Sequence, residues 1–266
     1  MPESGFLLVN PRSGDNSPTA DELSARARAR GIDAHVLGEG ENAAESARAA
    51  EAGPLGMAGG DGSLGAVAAV ALERDLPFVC VPFGTRNHFA RDLGLDADDP
   101  LAALDAYSGV ERLIDVACAG DRVFLNNLSI GLYAGLVHER ERHRLRRGLM
   151  ASGRALLRAL QHRPKRLELD RAPVRGRLML VANNEYELNL FSLGRRERLD
   201  EGVLHLYIAE GVLPTHWERK AGTRFRLDFD GVMRAALDGE LVDLEPPLGI
   251  EVRPQALRVL VPGEPG

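Results

Sequence analysis

Apolar and polar positions follow two different patterns along the chain, and the first pattern occupies residues 6–95. Short apolar runs at 6–10, 32–37, 55–59 and 77–82 have the length and composition of buried strands. Longer stretches predict helices at 17–30, 41–52, 63–74 and 86–95, the first of them capped by Ser17 and stopped by Gly31. Strands and helices in alternation, joined by short links, predict a parallel sheet covered on both faces.

The second pattern begins at about Val110, where short and often alternating apolar runs are separated by Gly, Pro, Asn and Asp. Such spacing is typical of strands in an antiparallel sandwich. One helical stretch, roughly 139–162, interrupts these strands. The sequence therefore predicts the α/β fold class, with an N-terminal parallel-sheet α/β domain at 1–117 and a C-terminal antiparallel β-sandwich domain at 118–266.

The composition fits a soluble globular protein, with 44% hydrophobic and 27% charged residues among 266. The chain has no run of 18 apolar residues, and its N-terminus does not resemble a signal peptide. Cys80 and Cys118 are expected to be small buried side chains that form neither a disulfide nor a metal cluster. We therefore expect a cytoplasmic protein.

Charge is unevenly distributed behind the net value of −6. Residues 1–117 hold 9 Arg or Lys and 19 Asp or Glu, a balance of −10, whereas residues 138–177 hold 13 and 4, a balance of +9. Within the basic segment, 138–163 combines many Arg with five Leu, which predicts a basic amphipathic helix suited to an anionic membrane surface. The alternative is a solvated helix whose Arg side chains pair with Glu139 and Glu141.

Residues 59–63 read Gly-Gly-Asp-Gly-Ser and join a predicted strand to a predicted helix. Glycines let backbone N–H groups approach a phosphate, and Ser63 is placed to cap the helix, whose N-terminus favours anions. Asp61 would repel a bare phosphate, but a divalent cation between them would make its position favourable. The alternative is a tight turn that Asp61 supports.

Two further polar turns follow predicted strands. Asn10-Pro11-Arg12-Ser13-Gly14 offers phosphate donors in Arg12 and Ser13, and Pro82 to Asn87 offers Gly84 for close approach and Thr85 and Asn87 as hydrogen-bonding groups. Because ligands of parallel α/β folds bind beyond the carboxyl ends of the strands, we expect the three turns to converge on one cleft.

A fourth motif, Asp238-Gly239-Glu240, lies in the predicted sandwich. Two carboxylates around a glycine are often a hairpin tip. If this tip reached the cleft, Asp238 could act as a general base and Glu240 could help to hold a metal ion.

Other nucleotide-binding signatures are absent from the sequence. It has no P-loop, no protein-kinase motifs and no His/Cys cluster with zinc spacing. We expect no nucleic-acid partner.

Together the four motifs resemble the diacylglycerol kinase catalytic-domain family, which includes bacterial lipid kinases and sphingosine kinases. The motifs occur in family order and span residues 10–240, and the stretches 124–134 and 186–208 are similar to the second domain of that family. The resemblance implies an ATP-binding domain at 1–117 and a lipid-substrate domain at 118–266. It implies transfer of the γ-phosphate of ATP to the hydroxyl of diacylglycerol or a related lipid.

The resemblance also implies a role for each motif residue, with ATP and Mg²⁺ as cofactors. The implied catalytic residues are Asp238, Glu240 and Asp61. The implied metal ligands are Asp61 and Glu201, with backbone carbonyls of Arg198 and Val203. The implied nucleotide-site residues are Asn10, Arg12, Ser13, Gly14, Gly59, Gly60, Asp61, Gly62, Ser63, Gly65, Gly84, Thr85 and Asn87.

The sequence departs from the family pattern at two positions. Ser63 stands where the family usually has Thr, which keeps the hydroxyl. His88 stands where the family usually has Asp, and a neutral imidazole does not replace a carboxylate as a Mg²⁺ ligand.

Two other functions remain open on the sequence. One is a NAD kinase or phosphofructokinase-like kinase of a soluble substrate, since both have related GGDG turns. The other is a catalytically impaired lipid- or nucleotide-binding regulator, for which His88 is the best argument and the intact Asp238-Gly239-Glu240 motif the argument against. For the lipid kinase we expect transient membrane association through 138–163, and a homodimer is left open.

Overall fold

The computed structural model describes residues 5–13, 18–51, 53–85, 87–131, 165–176, 178–189, 192–193, 195–209 and 217–263. The chain divides into two compact units. The first unit comprises Met1–Val116, Arg195–Glu201 and Arg253–Gly266, and the second comprises Ala117–Gly194 and Gly202–Val252. Two segments from the C-terminal half, 195–201 and 253–266, therefore belong with the N-terminal residues.

The secondary structure of the described residues is mixed. The helices are α1 (Ala20–Ala29), α2 (Ala43–Ala49), α3 (Asp61–Glu73) and α4 (His88–Asp92), with a 3-10 helix at Ala102–Ser108. The strands are β1 (Phe6–Val9), β2 (Asp33–Val36), β3 (Leu55–Gly59), β4 (Phe78–Pro82), β5 (Val110–Ala119), β6 (Arg122–Phe124), β7 (Asn127–Gly131), β8 (Lys165–Leu169), β9 (Ala172–Gly176), β10 (Leu178–Asn183), β11 (Leu188–Asn189), β12 (Ser192–Leu193), β13 (Leu204–Ala209), β14 (Glu218–Gly222), β15 (Arg224–Asp228), β16 (Met233–Leu237), β17 (Glu240–Leu244) and β18 (Leu248–Val261).

The first unit is built on a parallel sheet in the order β2-β1-β3-β4, as the sequence predicts. The last part of β18 continues it in parallel beside β4, where Val259 is opposite Phe78. Every residue of β3 and β4 is buried, as expected for central strands of a sheet covered on both faces.

Helix α1 shows how a local signal sets an element boundary. Its N-cap is Thr19, so the prediction of Ser17 in that role was wrong. The Thr19 hydroxyl oxygen accepts the Glu22 amide at 3.2 Å, and the Glu22 carboxylate accepts the Thr19 amide at 2.7 Å. This reciprocal capping box satisfies two amides that a helix start leaves without intrahelical partners. Gly31, at φ +78°, ends the helix as predicted.

The second unit is an antiparallel β-sandwich, again as predicted. One of its sheets has the order β14-β13-β10-β7-β16-β17. The other is formed by β9, β8, β15 and the first part of β18, together with the β5–β6 pair. Apolar side chains from both sheets fill the core, among them Phe124, Ile130, Val181, Leu206, Phe225 and Ile250.

No helix among the described residues is long and apolar enough to cross a membrane. The predicted basic amphipathic helix at 138–163 lies outside the described residues.

Candidate active site

The turn after β1 is organised by Asn10. Its side-chain oxygen accepts the Arg12 amide at 3.1 Å, and its carbonyl accepts the Ser13 amide at 3.1 Å. Its own amide donates to the carbonyl of Ala58 in β3 at 2.9 Å, which ties the turn to the neighbouring strand. Gly14, the last residue of this motif, lies outside the described residues.

The turn after β3 leads directly into α3. The N-cap is Gly60 and Asp61 is the first helical residue, so the prediction that Ser63 caps this helix was wrong. The Ser63 hydroxyl instead donates to the carbonyl of Gly60 at 2.9 Å. Gly60 contributes no side chain to cap the N-terminus of this 13-residue helix. Its dipole and first amides therefore favour an anion at this position.

Asp61 is half-buried and faces the start of another helix. Its two carboxylate oxygens accept the amides of His88 at 3.2 Å and Phe89 at 3.0 Å, the first two residues of α4. The carboxylate therefore caps α4 while it is part of α3. Burial is the main cause that raises the pKa of the nearby Cys80 thiol, and the negative charge of Asp61 raises it further.

The turn after β4 is closed by Asn87. Its side chain accepts the Gly84 amide at 2.9 Å and donates to the Gly84 carbonyl at 2.8 Å. Asn87 adopts a left-handed conformation at φ +49° and occupies the N-cap position of α4. Gly84 lies so close to the second turn that a Cβ on it would be 2.5 Å from the Cα of Gly60. Glycine is therefore required at 84 for the two turns to meet.

The strand order places these turns at one position in the sheet. The chain passes from β1 to β2 on one side and then returns to β3 and β4 on the other, so the order reverses between β1 and β3. The turns at Asn10 and Gly60 flank this reversal at the carboxyl ends of the strands, and Gly84 joins them from β4. The structure thus brings together three of the four predicted motifs within the first unit, with Thr85 exposed beside them.

The segment 195–201 of the first unit carries two of the predicted metal-site residues. The Arg198 side chain donates to the Asp200 carboxylate at 3.1 Å, and this hydrogen bond raises the pKa of Arg198. Glu201 ends the segment, whereas Val203 belongs to the second unit, where its carbonyl accepts the Asn184 amide at 3.1 Å. Among the described residues, no three His, Cys, Asp or Glu side chains converge where they could hold a metal ion.

In the second unit, Asp238 and Gly239 form the two-residue tip of the β16–β17 hairpin. Both have positive φ, +48° and +89°, as a type I′ turn requires. The Asp238 side chain accepts three amides, from Leu125 at 2.7 Å, Asn126 at 2.8 Å and Asn127 at 3.0 Å. Such charge-assisted bonds stabilise the ionised carboxylate.

Sequence reasoning missed the residues that surround Asp238. Asn183, buried at the end of β10, donates from its amide to the Asn126 carbonyl at 3.0 Å and from its side chain to the Leu125 carbonyl at 3.1 Å. Asp238 therefore binds amides of the 125–127 turn, and Asn183 binds carbonyls of the same turn. Adjacent asparagines between apolar runs, at 126–127 and 183–184, are the signal that could have identified this cluster.

Comparison with known proteins agrees with this architecture. Residues 4–119 match the diacylglycerol kinase catalytic domain family. A crystal structure of a diacylglycerol kinase from Bacillus anthracis str. Sterne has the same fold, with a TM-score of 0.72, 20% sequence identity and 97% coverage of both chains. Two other structures from that organism have TM-scores of 0.71 at 20% and 21% identity, also with 97% coverage of both chains. Both are described as diacylglycerol kinases only provisionally. Residues 4–119 are therefore similar to the diacylglycerol kinase catalytic domain, and the whole chain shares the fold of these solved structures.

Proposed function

We propose that this protein is an ATP-dependent kinase that transfers the γ-phosphate of ATP to the hydroxyl of diacylglycerol or a related lipid. The observation that carries the proposal is the reversal of strand order between β1 and β3, flanked by the Asn10 and Gly60 turns. Nucleotides bind at such reversals in open α/β sheets because the loops on either side separate there and leave a crevice.

The Gly60 turn supplies the features that a phosphate needs. It stands at the N-terminus of α3, where the N-cap residue is the glycine itself. Gly60 and Gly84 carry no side chains, and their backbones approach so closely that a Cβ on Gly84 would be 2.5 Å from the Cα of Gly60. Phosphate oxygens can therefore approach backbone N–H groups and the positive end of the helix dipole.

Asp61 fits the divalent cation that accompanies ATP. Each of its carboxylate oxygens accepts one amide of α4, which fixes the orientation of the carboxylate. One fixed carboxylate together with substrate phosphates is a common way for proteins to hold Mg²⁺. When bound, the cation would offset the charge that develops on the phosphates. Glu201 and the carbonyls of Arg198 and Val203 are the proposed ligands of a second ion.

Asp238 and Glu240 are proposed to act on the lipid hydroxyl. The three amides around Asp238 favour its ionised form, which is the form that a general base requires. Glu240 is exposed at the start of β17, two residues from Asp238. Contact with the membrane through 138–163 is part of the same proposal, since the substrate resides in a bilayer.

The test is phosphate transfer from γ-labelled ATP, with Mg²⁺, to a panel of lipids in anionic mixed micelles. Diacylglycerol, a monoacylglycerol, a long-chain base and an isoprenoid alcohol form the lipid arm, and NAD and fructose 6-phosphate form the soluble arm. We expect one lipid to be phosphorylated and Asp238→Asn to lower its rate of phosphorylation by roughly 10²-fold or more. Transfer only to a soluble acceptor would reject the lipid assignment, and ATP binding without any transfer would favour the regulator.

A further inference from the structure

An ion pair is buried completely in the first unit, next to the turns described above. The Arg196 guanidinium donates through Nε to Asp92 Oδ2 at 2.7 Å, and the Arg196 amide donates to Asp92 Oδ1 at 3.2 Å. The side chains of Arg196 and Asp92 are only 0% and 3% exposed. Both oxygens of one carboxylate therefore fix the backbone and the side chain of the same arginine.

Stability does not explain this pair. Removing two charges from water costs about as much as their attraction returns, so apolar residues of similar size are often as stable or more so. Asp92 is also the last residue of α4, where the negative end of the helix dipole disfavours a carboxylate. A buried ion pair that adds little stability at the end of α4 is better explained by the fixed positions that it gives to α4 and to the segment 195–201.

The pair connects two parts of the proposed site through one short helix. Helix α4 has five residues, so the amides of His88 and Phe89 that Asp61 accepts lie only about 6 Å along the axis from Asp92. Asp92 and the two amides that Asp61 accepts thus belong to the same five-residue helix, and the Asn87 turn immediately precedes it. A displacement of Asp92 would move the helix end that Asp61 caps.

On its other side, Arg196 anchors the segment 195–201. A second anchor follows three residues later, where the carbonyl of Leu199 accepts the amide of Asp115 in β5 at 2.7 Å. Arg198 lies between the two anchors and Glu201 follows them. The segment that carries these two proposed metal ligands is thus fixed to the helix that Asp61 caps.

We propose that Arg196 is a positioning residue for binding of the nucleotide and its cation, acting through Asp92 and α4 on Asp61. This inference rests on the proposed function, since it assumes that Asp61 belongs to a Mg·ATP site. Arg196 acts through other groups, so its removal should change affinity for Mg·ATP even where the fold is retained.

The decisive variant is the double substitution Asp92→Leu/Arg196→Met, which removes both charges and keeps similar volumes. We expect its thermal midpoint to fall by roughly 2–10 °C, because the buried amide of Arg196 loses its acceptor, Asp92 Oδ1. We expect its affinity for Mg·ATP, measured by calorimetry, to fall roughly tenfold or more, the usual effect of losing a residue that orients metal ligands. Arg196→Lys keeps the charge without the planar guanidinium and should weaken binding less.

The matched control is Arg48→Met/Glu73→Leu, which removes an exposed pair of the same unit, with a separation of 3.1 Å, and should leave affinity unchanged. The inference is overturned if the folded double variant binds Mg·ATP as tightly as the wild type does. If the double variant does not fold, the same result with a folded Arg196→Lys protein overturns it. A wild-type protein that binds no Mg·ATP overturns the proposed function and this inference with it. Wild-type binding with unaffected variants rejects the role of Arg196 alone.

Discussion

The two units each place an aspartate beside glycine and use it to hold backbone amides, but they do so in different settings. In the first unit, Asp61 is half-buried at the start of α3 and accepts two amides of α4. In the second unit, Asp238 is 8% exposed at a hairpin tip and accepts three amides of the 125–127 turn. Asp61 caps a helix and keeps contact with solvent, whereas Asp238 is the centre of a turn.

This difference shows how far each aspartate is needed for the fold, apart from any role in binding or catalysis, and a sequence motif alone cannot show that. An acid that caps a helix end can be changed at the cost of one cap. An acid that satisfies three amides in a nearly buried turn cannot be changed without leaving those donors unpaired. Substitution of Asp238 therefore tests structure and chemistry at once, and the two must be measured separately.

The largest effect is expected at Asp238. Asp238→Asn should lower kcat by roughly 10²-fold or more, the scale of a lost general base, and leave Mg·ATP affinity unchanged. The variant should also lower the free energy of unfolding by about 3 kcal/mol, because an amide group cannot accept three N–H bonds as a carboxylate does. Steady-state kinetics and urea denaturation measure the two effects.

Asp238→Ala is the companion variant and should be still less stable, because all three amides lose their acceptor. Wild-type turnover in a folded Asp238→Asn protein would show that Asp238 is not the general base. Unchanged stability would contradict its role as the centre of the turn.

The next effect is expected at Gly84, where the first unit depends on backbone contact. Gly84→Ala places a Cβ 2.5 Å from the Cα of Gly60, so the two turns must separate. We expect a loss of about 2 kcal/mol in unfolding free energy and weaker nucleotide binding. The control is Gly249→Ala in the second unit, which meets nothing within 4 Å. Equal behaviour of the two variants would show that the contact between turns is dispensable.

A smaller effect is expected at Asp61. Asp61→Ala should cost about 1 kcal/mol of stability, the usual value of a helix cap, and should weaken Mg·ATP binding as well as turnover. Asp61→Asn retains one oxygen acceptor for the α4 amides but loses the charge that a cation needs. If Asp61→Asn retains the unfolding free energy of the wild type but loses affinity for Mg·ATP, then Asp61 makes separate contributions to helix capping and to cation binding. A purely catalytic defect in both variants would contradict the metal role.

The smallest effect concerns a third carboxylate, Glu41, which accepts hydrogen bonds on the surface of the first unit. Its donors are Ser46 at 2.6 Å and the Gly38 amide at 2.8 Å, and His35 lies at 2.7 Å. These contacts, led by that from Ser46, lower the pKa of Glu41 to about 2 from 4.5. Because the folded-state pKa is lowered, the stability that Glu41 contributes is complete above pH 4.5 and is lost as pH falls toward 2.

The measurement is an NMR titration of the Glu41 side chain in the wild type and in Ser46→Ala. The variant should raise the pKa of Glu41, since it removes the largest contribution. Gly249→Ala serves again as the variant that should change nothing. An unchanged Glu41 pKa in Ser46→Ala would show that the other donors suffice.

Much of the first unit could be predicted because its signals are local. Strand β3 was predicted with its observed bounds, since an apolar run between Pro54 and the Gly60 turn has only one way to be buried. Starts of helices were less well predicted. Thr19 and Glu22 form a capping box at the spacing that defines one, whereas Pro18 at a first helical position would place the cap at Ser17.

The parts that could not be predicted depend on contacts between distant residues. Arg196 stands in the highly charged run Arg195-Arg196-Glu197-Arg198, which predicts a solvated segment, yet its side chain is completely buried against Asp92. Likewise, the Asp238 motif predicted a hairpin tip, but 112 positions separate Asp238 from the amide of Asn126 that it accepts. Local pattern cannot indicate a partner so far away in the chain.

The last part of β18 has a consequence for how the protein is made. Val259 and Leu260 pair with β4, and residues 253–266 belong to the first unit. A ribosome that has just finished β4 has therefore not yet produced the strand that covers its edge. At ordinary rates of synthesis, on the order of 10 s passes before residues 259–261 appear. Until then β4 is an open, apolar sheet edge, the kind of surface that chaperones protect during translation.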